Sequence, residues 1–236
     1  MLVGYSMADL DLTAYDPLVV EHAFTGYVRQ QVFAEAARGK AWHCDLVAGT
    51  LSVTGLGTFR VDLLGTFSKG SDTFLWSWAN PDAAKWSADV LAFARSLEHH
   101  ATQQPGLAVF VEPKIAAGWV PSLELGFVCG ELAGGKPLYI GQSGDAEVYF
   151  LVHTACSGAL SELHVATWPR QLLDFQPLVM ADIRACVERG LEKSGFVLER
   201  QASRTVALAA NACNVSLHWR EGGGIERLGV DMIPDA

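Results

Sequence analysis

No run in this sequence approaches the roughly 18–20 uninterrupted apolar residues of a membrane-spanning helix, so no span is expected. The opening stretch, MLVGYSMADLDL, carries acids and lacks the basic region of a secretory leader. Charge is also scarce, at 18% of residues, while half the chain is hydrophobic. That balance excludes a disordered chain, because the apolar content can offset the ordering entropy. Five cysteines stand scattered at positions 44, 129, 156, 186 and 213, without a CxxC pair. An odd, dispersed set suits reduced thiols and a cytoplasmic location better than a disulfide framework.

Basic residues are the next shortage. Lys and Arg number 17 against 26 Asp and Glu, which gives a net charge of −9, and both halves carry the acid excess. Phosphate backbones are repelled by such a surface, and no basic stripe interrupts it, so nucleic-acid binding is not expected. A basic protein partner would instead be steered towards it.

Chemical signatures are missing as well. The glycine-rich pieces GLG (55–57), GELAGG (130–135) and GGG (222–224) fit no phosphate-binding pattern and read as turns and helix caps. GQSGD, around Ser143, has its second glycine one place too early for a nucleophile elbow and joins two strand-like runs. His153 and Cys156 form one loose pair, with His164 beyond, whereas structural zinc needs four converging ligands. Cys156 has no neighbouring Lys or Arg to depress its pKa. No catalytic residue, metal or cofactor is therefore assigned.

What the sequence does contain is a clear alternation of elements. Asp16-Pro17 reads as a helix start, followed by Val20, Phe24, Val28 and Val32 at helical spacing, and Gly39 as the stop. AWHCDL, TLSVT, TFRVDLLGTF and DTFLWSW then read as four antiparallel strands. Asn80-Pro81 is expected to cap a helix reaching about His100. Residues 106–120 form the best connector, with LAVFVE a short strand inside it. Pro121 opens a short helix to Leu132, and PLYIG and EVYFLVH make a hairpin.

The last third has the order of the first. A helix opened by Pro177 presents Met180, Ile183, Val187 and Leu191, and FVLERQ, RTVALA, CNVSLHWR and IERLGVDM follow as strands. The expected fold is α+β: two helix-plus-antiparallel-sheet lobes, 1–105 and 121–236, packed together and matching as a pseudo-repeat in pattern.

Two stretches are candidates for recognition. Phe74, Trp76 and Trp78 stand two apart, so in a strand they share one face, which is either core or ligand platform. The core reading is the more economical, since such a row packs under the flanking helices. In CNVSLHWR, Cys213, Val215, Leu217 and Trp219 alternate with Asn214, Ser216, His218 and Arg220. The second set forms the wet face of a half-buried strand, with His218 and Arg220 as donors to an acidic or polar ligand.

The run D-T-F-L-W-S-W-A-N-P (72–81), after the A-W-H-C-D-L…L-S-V hairpin, resembles a family of uncharacterised bacterial proteins with a W-x-W-x-N-P signature. The resemblance covers about residues 25–155 and implies a bacterial, cytoplasmic α+β protein; it supplies no activity or cofactor. The functional expectation is a non-catalytic acidic binding protein, in concrete form a bacterial immunity protein that neutralises a basic toxin. The alternative is a small-molecule enzyme or sensor whose pocket between the lobes is walled by Trp76 and Trp78.

Overall fold

The structure is a computed structural model and describes residues 11–155, 167–208 and 213–232. The chain is an α+β fold with two antiparallel sheets. Helix α1 (Tyr15–Ala37) precedes strands β1 (Trp42–Asp45), β2 (Thr50–Val53), β3 (Gly57–Ser68) and β4 (Thr73–Trp76). Helices α2 (Ala88–Ala101) and α3 (Ala108–Val111), strand β5 (Lys114–Ala116) and helix α4 (Ser122–Leu132) follow. Strands β6 (Leu138–Ser143) and β7 (Ala146–Val152) return the chain to the first sheet. Beyond them come helices α5 (Trp168–Phe175) and α6 (Ile183–Lys193). Strands β8 (Val197–Gln201), β9 (Arg204–Leu208), β10 (Cys213–Trp219) and β11 (Ile225–Met232) form the second sheet as a simple meander.

The first sheet is organised by β3, the longest strand. Its start pairs with β2, while its far half is flanked by β4 on one side and β7 on the other. The register against β7 slips between Leu63 and Gly65. A Cβ at Gly65 would overlap the Leu75 carbonyl and the Phe74 ring, so only glycine admits β4 this closely.

This pairing corrects the expected division into lobes. Strands β6 and β7 lie beyond the 106–120 connector, yet they complete the first sheet, and one buried cluster runs from Tyr15 to Ile225. The physical reason is α1. It is buried through the unbroken stretch Ala23–Val28, because α4 and α6 pack against it from different sides. A helix covered that way shows no single apolar stripe.

Local expectations are corrected in three further places. LAVFVE folds as α3 rather than a strand, with Val109 and Phe110 in the core. The long helix after Asn80 starts at Ala88, where the Ser87 hydroxyl accepts the Asp89 amide; Asn80 instead accepts the Asp82 amide in a separate turn. Pro177 lies in a 3₁₀ turn, and α6 begins only after Asp182, whose carboxylate accepts the Ala185 amide. Met180 therefore falls outside α6 and is exposed.

Candidate functional site

The aromatic row resolves into two environments. Strand β4 ends at Trp76, and Ser77–Ala79 is a 3₁₀ turn, so Trp78 leaves the row. Trp76 is wholly buried, stacks edge-on with Phe74 at 5.3 Å, and donates its indole N–H to the Val109 carbonyl at 3.0 Å. A side chain so enclosed cannot wall an open pocket, which removes Trp76 from the candidate binding residues. Trp78 is half-buried, and its indole nitrogen has no partner among the described residues.

On β10 the alternation is as expected for the described side chains. Val215, Leu217 and Trp219 are buried, whereas Asn214, Ser216 and His218 are half-exposed and Arg220 is exposed past the strand end. The side chain of Cys213, and all of Cys156 and His164, lie outside the described residues. Among those residues no group of three or more His, Cys, Asp or Glu could hold a metal ion. His153 does have a partner that its position in the sequence did not reveal. Its Nε2 lies 3.0 Å from the buried carboxylate of Asp62, which also accepts from Lys136 Nζ at 2.6 Å.

Two of the described thiols are poor nucleophiles. Burial raises the pKa of Cys129 strongly and pushes that of Cys186 up to about 12, so both stay protonated at neutral pH. The Cys186 Sγ lies 3.8 Å from the Val19 carbonyl oxygen, as a weak donor inside the helix packing.

The starts of α1 and α6 meet around an open cavity of about 550 Å³. Asp16, Glu21 and Asp182 line it, over an apolar floor of Pro17, Val20 and Ala181, and exposed Met180 precedes Ala181 in the chain. Among the described residues, no basic side chain lines this cavity. The three acids differ in how their charge is used. Glu21 is clamped by Arg189 at 2.7 Å and Lys193 at 2.8 Å, and these partners, Arg189 first, hold its pKa down to about 2. Asp182 lends one oxygen to the cap of α6. Asp16 is exposed in the first turn of α1 and takes part in no ion pair among the described residues.

Behind the cavity wall lies a carboxyl that sequence reasoning passed over. Glu124 is buried in α4 and accepts the Met180 amide at 2.7 Å. Burial, reinforced by the nearby charge of Asp16, pushes its pKa up to about 7. The buried Tyr15 hydroxyl faces it without reaching hydrogen-bond geometry with any described partner. One of two Glu in an otherwise apolar helix is the only trace of this in the sequence, and burial cannot be read from that.

No curated protein and no solved structure matches the chain. A family model matches residues 16–155 and ends just past β7, so the matched segment is α1 through the completed seven-stranded sheet. The described part of the second sheet lies outside the match, as do Ala181 and Asp182 of the cavity. By this match over more than half its length, the chain belongs to a family of unknown function (DUF6882).

Proposed function

We propose that the chain is a non-catalytic binding protein for a basic protein partner, and in concrete form an immunity protein that neutralises a basic toxin. The observation that carries this reading is the cavity between α1 and α6, where Asp16 and Asp182 stand over an apolar floor. A lysine or arginine side chain matches that arrangement, with an aliphatic stem for Pro17, Val20 and Ala181 and a cationic head for the carboxylates. The net charge of −9 supports the same partner class, because complementary charge accelerates encounter.

Affinity capture from the native host, comparing the parent chain with Asp16→Lys, tests the proposal. Asp16 is exposed in the first turn, so reversing it costs the fold only about 0.3–1 kcal/mol of helix-dipole interaction. The parent is expected to retain a basic protein that rising salt releases, and Asp16→Lys to lose it. Encoding of that protein beside this chain, and protection against it in co-expression, would establish the immunity role. Capture of no basic protein, or equal capture by both chains, overturns the reading.

A further inference from the structure

The outer face of the second sheet gathers basic side chains in one row, which only the strand register brings together. His218 on β10 pairs with Arg204 on β9 and with Arg227 on β11, so three basic-type side chains stand side by side across three strands. Directly opposed residues share a face, which here is the one opposite buried Val215 and Leu217. Arg220 follows two residues after His218 and is exposed.

The arginines nearby on α6 and β8 are used differently. Arg184 and Arg200 bind Glu188, while Arg189 binds Glu21. Arg204, Arg220 and Arg227 make no ion pair among the described residues, and the Arg204 Nε is buried without a partner. Arg227 Nη2 lies 3.4 Å from His218 Nε2, and these two line an open depression of about 370 Å³ with Glu226 as its third lining residue. One register step away Val206, Ser216 and Gly229 stand in line, with the exposed carboxylate of Glu199 opposite Val206 on β8. Two steps away the face presents Leu208 and strongly exposed Val197, with Asp231 at the far edge.

From this juxtaposition we infer that the outer face of β9–β10–β11 docks a short acidic segment of a partner protein, whose carboxylates take Arg204, His218, Arg220 and Arg227 and whose apolar residue covers Val197 and Leu208. Charge complementarity selects this occupant over a longer polyanion. The cationic row is only about 10 Å wide, at two strand spacings. A nucleic acid or an anionic membrane extending past it meets the acid excess of the rest of the chain. This surface is separate from the cavity between α1 and α6, so the two readings stand or fall apart.

The test is anisotropy of a fluorescein-labelled oligoglutamate peptide carrying one leucine, titrated with the full chain at low and at physiological salt. The parent should bind at low salt and weaken as salt rises. Arg204→Gln/Arg227→Gln should weaken binding at least tenfold, about what one charge-assisted hydrogen bond supplies. Arg95→Gln, which removes an exposed charge on α2, should change it less than twofold. Should the double variant fail to fold, as judged by circular dichroism, Arg227→Gln alone keeps the test readable because that side chain is exposed. Absence of binding at low salt, equal weakening by Arg95→Gln, or tighter binding of a single-stranded oligonucleotide or of phosphatidylserine vesicles overturns the inference.

Discussion

Gly190 of α6 lies flat against the ring of Phe24 on α1, so closely that a Cβ at this glycine would overlap the ring. Phe24 is itself buried and stacks edge-on with Phe175 at 5.1 Å, so it has nowhere to retreat. On another side of α1, Gly26 meets the backbone of Phe127 in α4 with the same closeness. The two glycines set how near α4 and α6 come to the central helix.

Gly190→Ala should therefore destabilise the chain despite alanine's better helix propensity. Overpacking of a tight core costs about 1–3 kcal/mol, against about 1 kcal/mol gained from propensity. Urea unfolding measures the balance through the transition midpoint. A variant more stable than the parent would mean that α6 shifts freely against α1.

The two tryptophans of the W-S-W stretch should separate in stability. Trp76→Ala removes a wholly buried indole and leaves the Val109 carbonyl unpaired, for a cost of about 3–5 kcal/mol. Trp78→Ala should cost clearly less, because Trp78 is half-buried and its N–H bonds nothing described. Ser87→Ala should cost about 0.5–2 kcal/mol as the loss of the α2 cap, and more than Asn80→Ala, which opens only a turn. Equal losses for the two tryptophans would contradict this placement.

Glu124 should make the chain less stable as pH rises through the weakly acidic range. Its folded pKa of about 7 lies above the ordinary 4.5, so between those values the folded state holds a proton that the unfolded state has released. Its unfavourable contribution is absent below about pH 4.5, grows to pH 7 and is complete above it. At about 1.4 kcal/mol per pKa unit this amounts to roughly 3 kcal/mol. Glu124→Gln, which can still accept the Met180 amide, should flatten that part of the stability–pH curve. An unchanged slope from pH 5 to 7 would place the responsible group elsewhere.

Asp62 holds two partners at once, the Lys136 ammonium at 2.6 Å and the His153 imidazole at 3.0 Å. Asp62→Asn should cost about 1.5–3 kcal/mol, the scale of a hydrogen bond to a charged group, because the carboxylate is the buried member. His153→Ala should cost less, since that imidazole is partly exposed and Lys136 still neutralises Asp62. Chemical denaturation of both variants ranks them, and the reverse order would refute the assignment.

Much of the fold is written in local pattern. Apolar runs between turn residues mark β8–β11 and the β6–β7 hairpin nearly residue for residue, and β9 and β10 alternate as half-buried strands must. The helix starting near Pro17 and the stop at Gly39, whose φ is +69°, are equally local. The α+β class follows from those elements alone. Local pattern fails where a segment is buried on several sides. The run LAVFVE is apolar in either conformation, and only its packing against Trp76 and Tyr15 makes it a helix. Likewise, nothing in EVYFLVH says that it pairs with β3, so local pattern alone suggests a boundary that the sheet does not respect.

The sites divide the same way. Asn214, Ser216 and His218 are legible as one face, because period two is a property of the strand itself, whereas Arg220 lies past the strand end. The partners Arg204 and Arg227 are not legible, because register is decided between strands rather than within one. Asp16 and Asp182 are 166 positions apart, and the packing of α6 on α1 is what makes them neighbours around one cavity. Sequence determined the elements and their wet and dry faces, through short-range sterics and periodicity. Tertiary structure alone decided which charges meet and which carboxyls are shut away from water, since both depend on contacts between segments far apart in the chain.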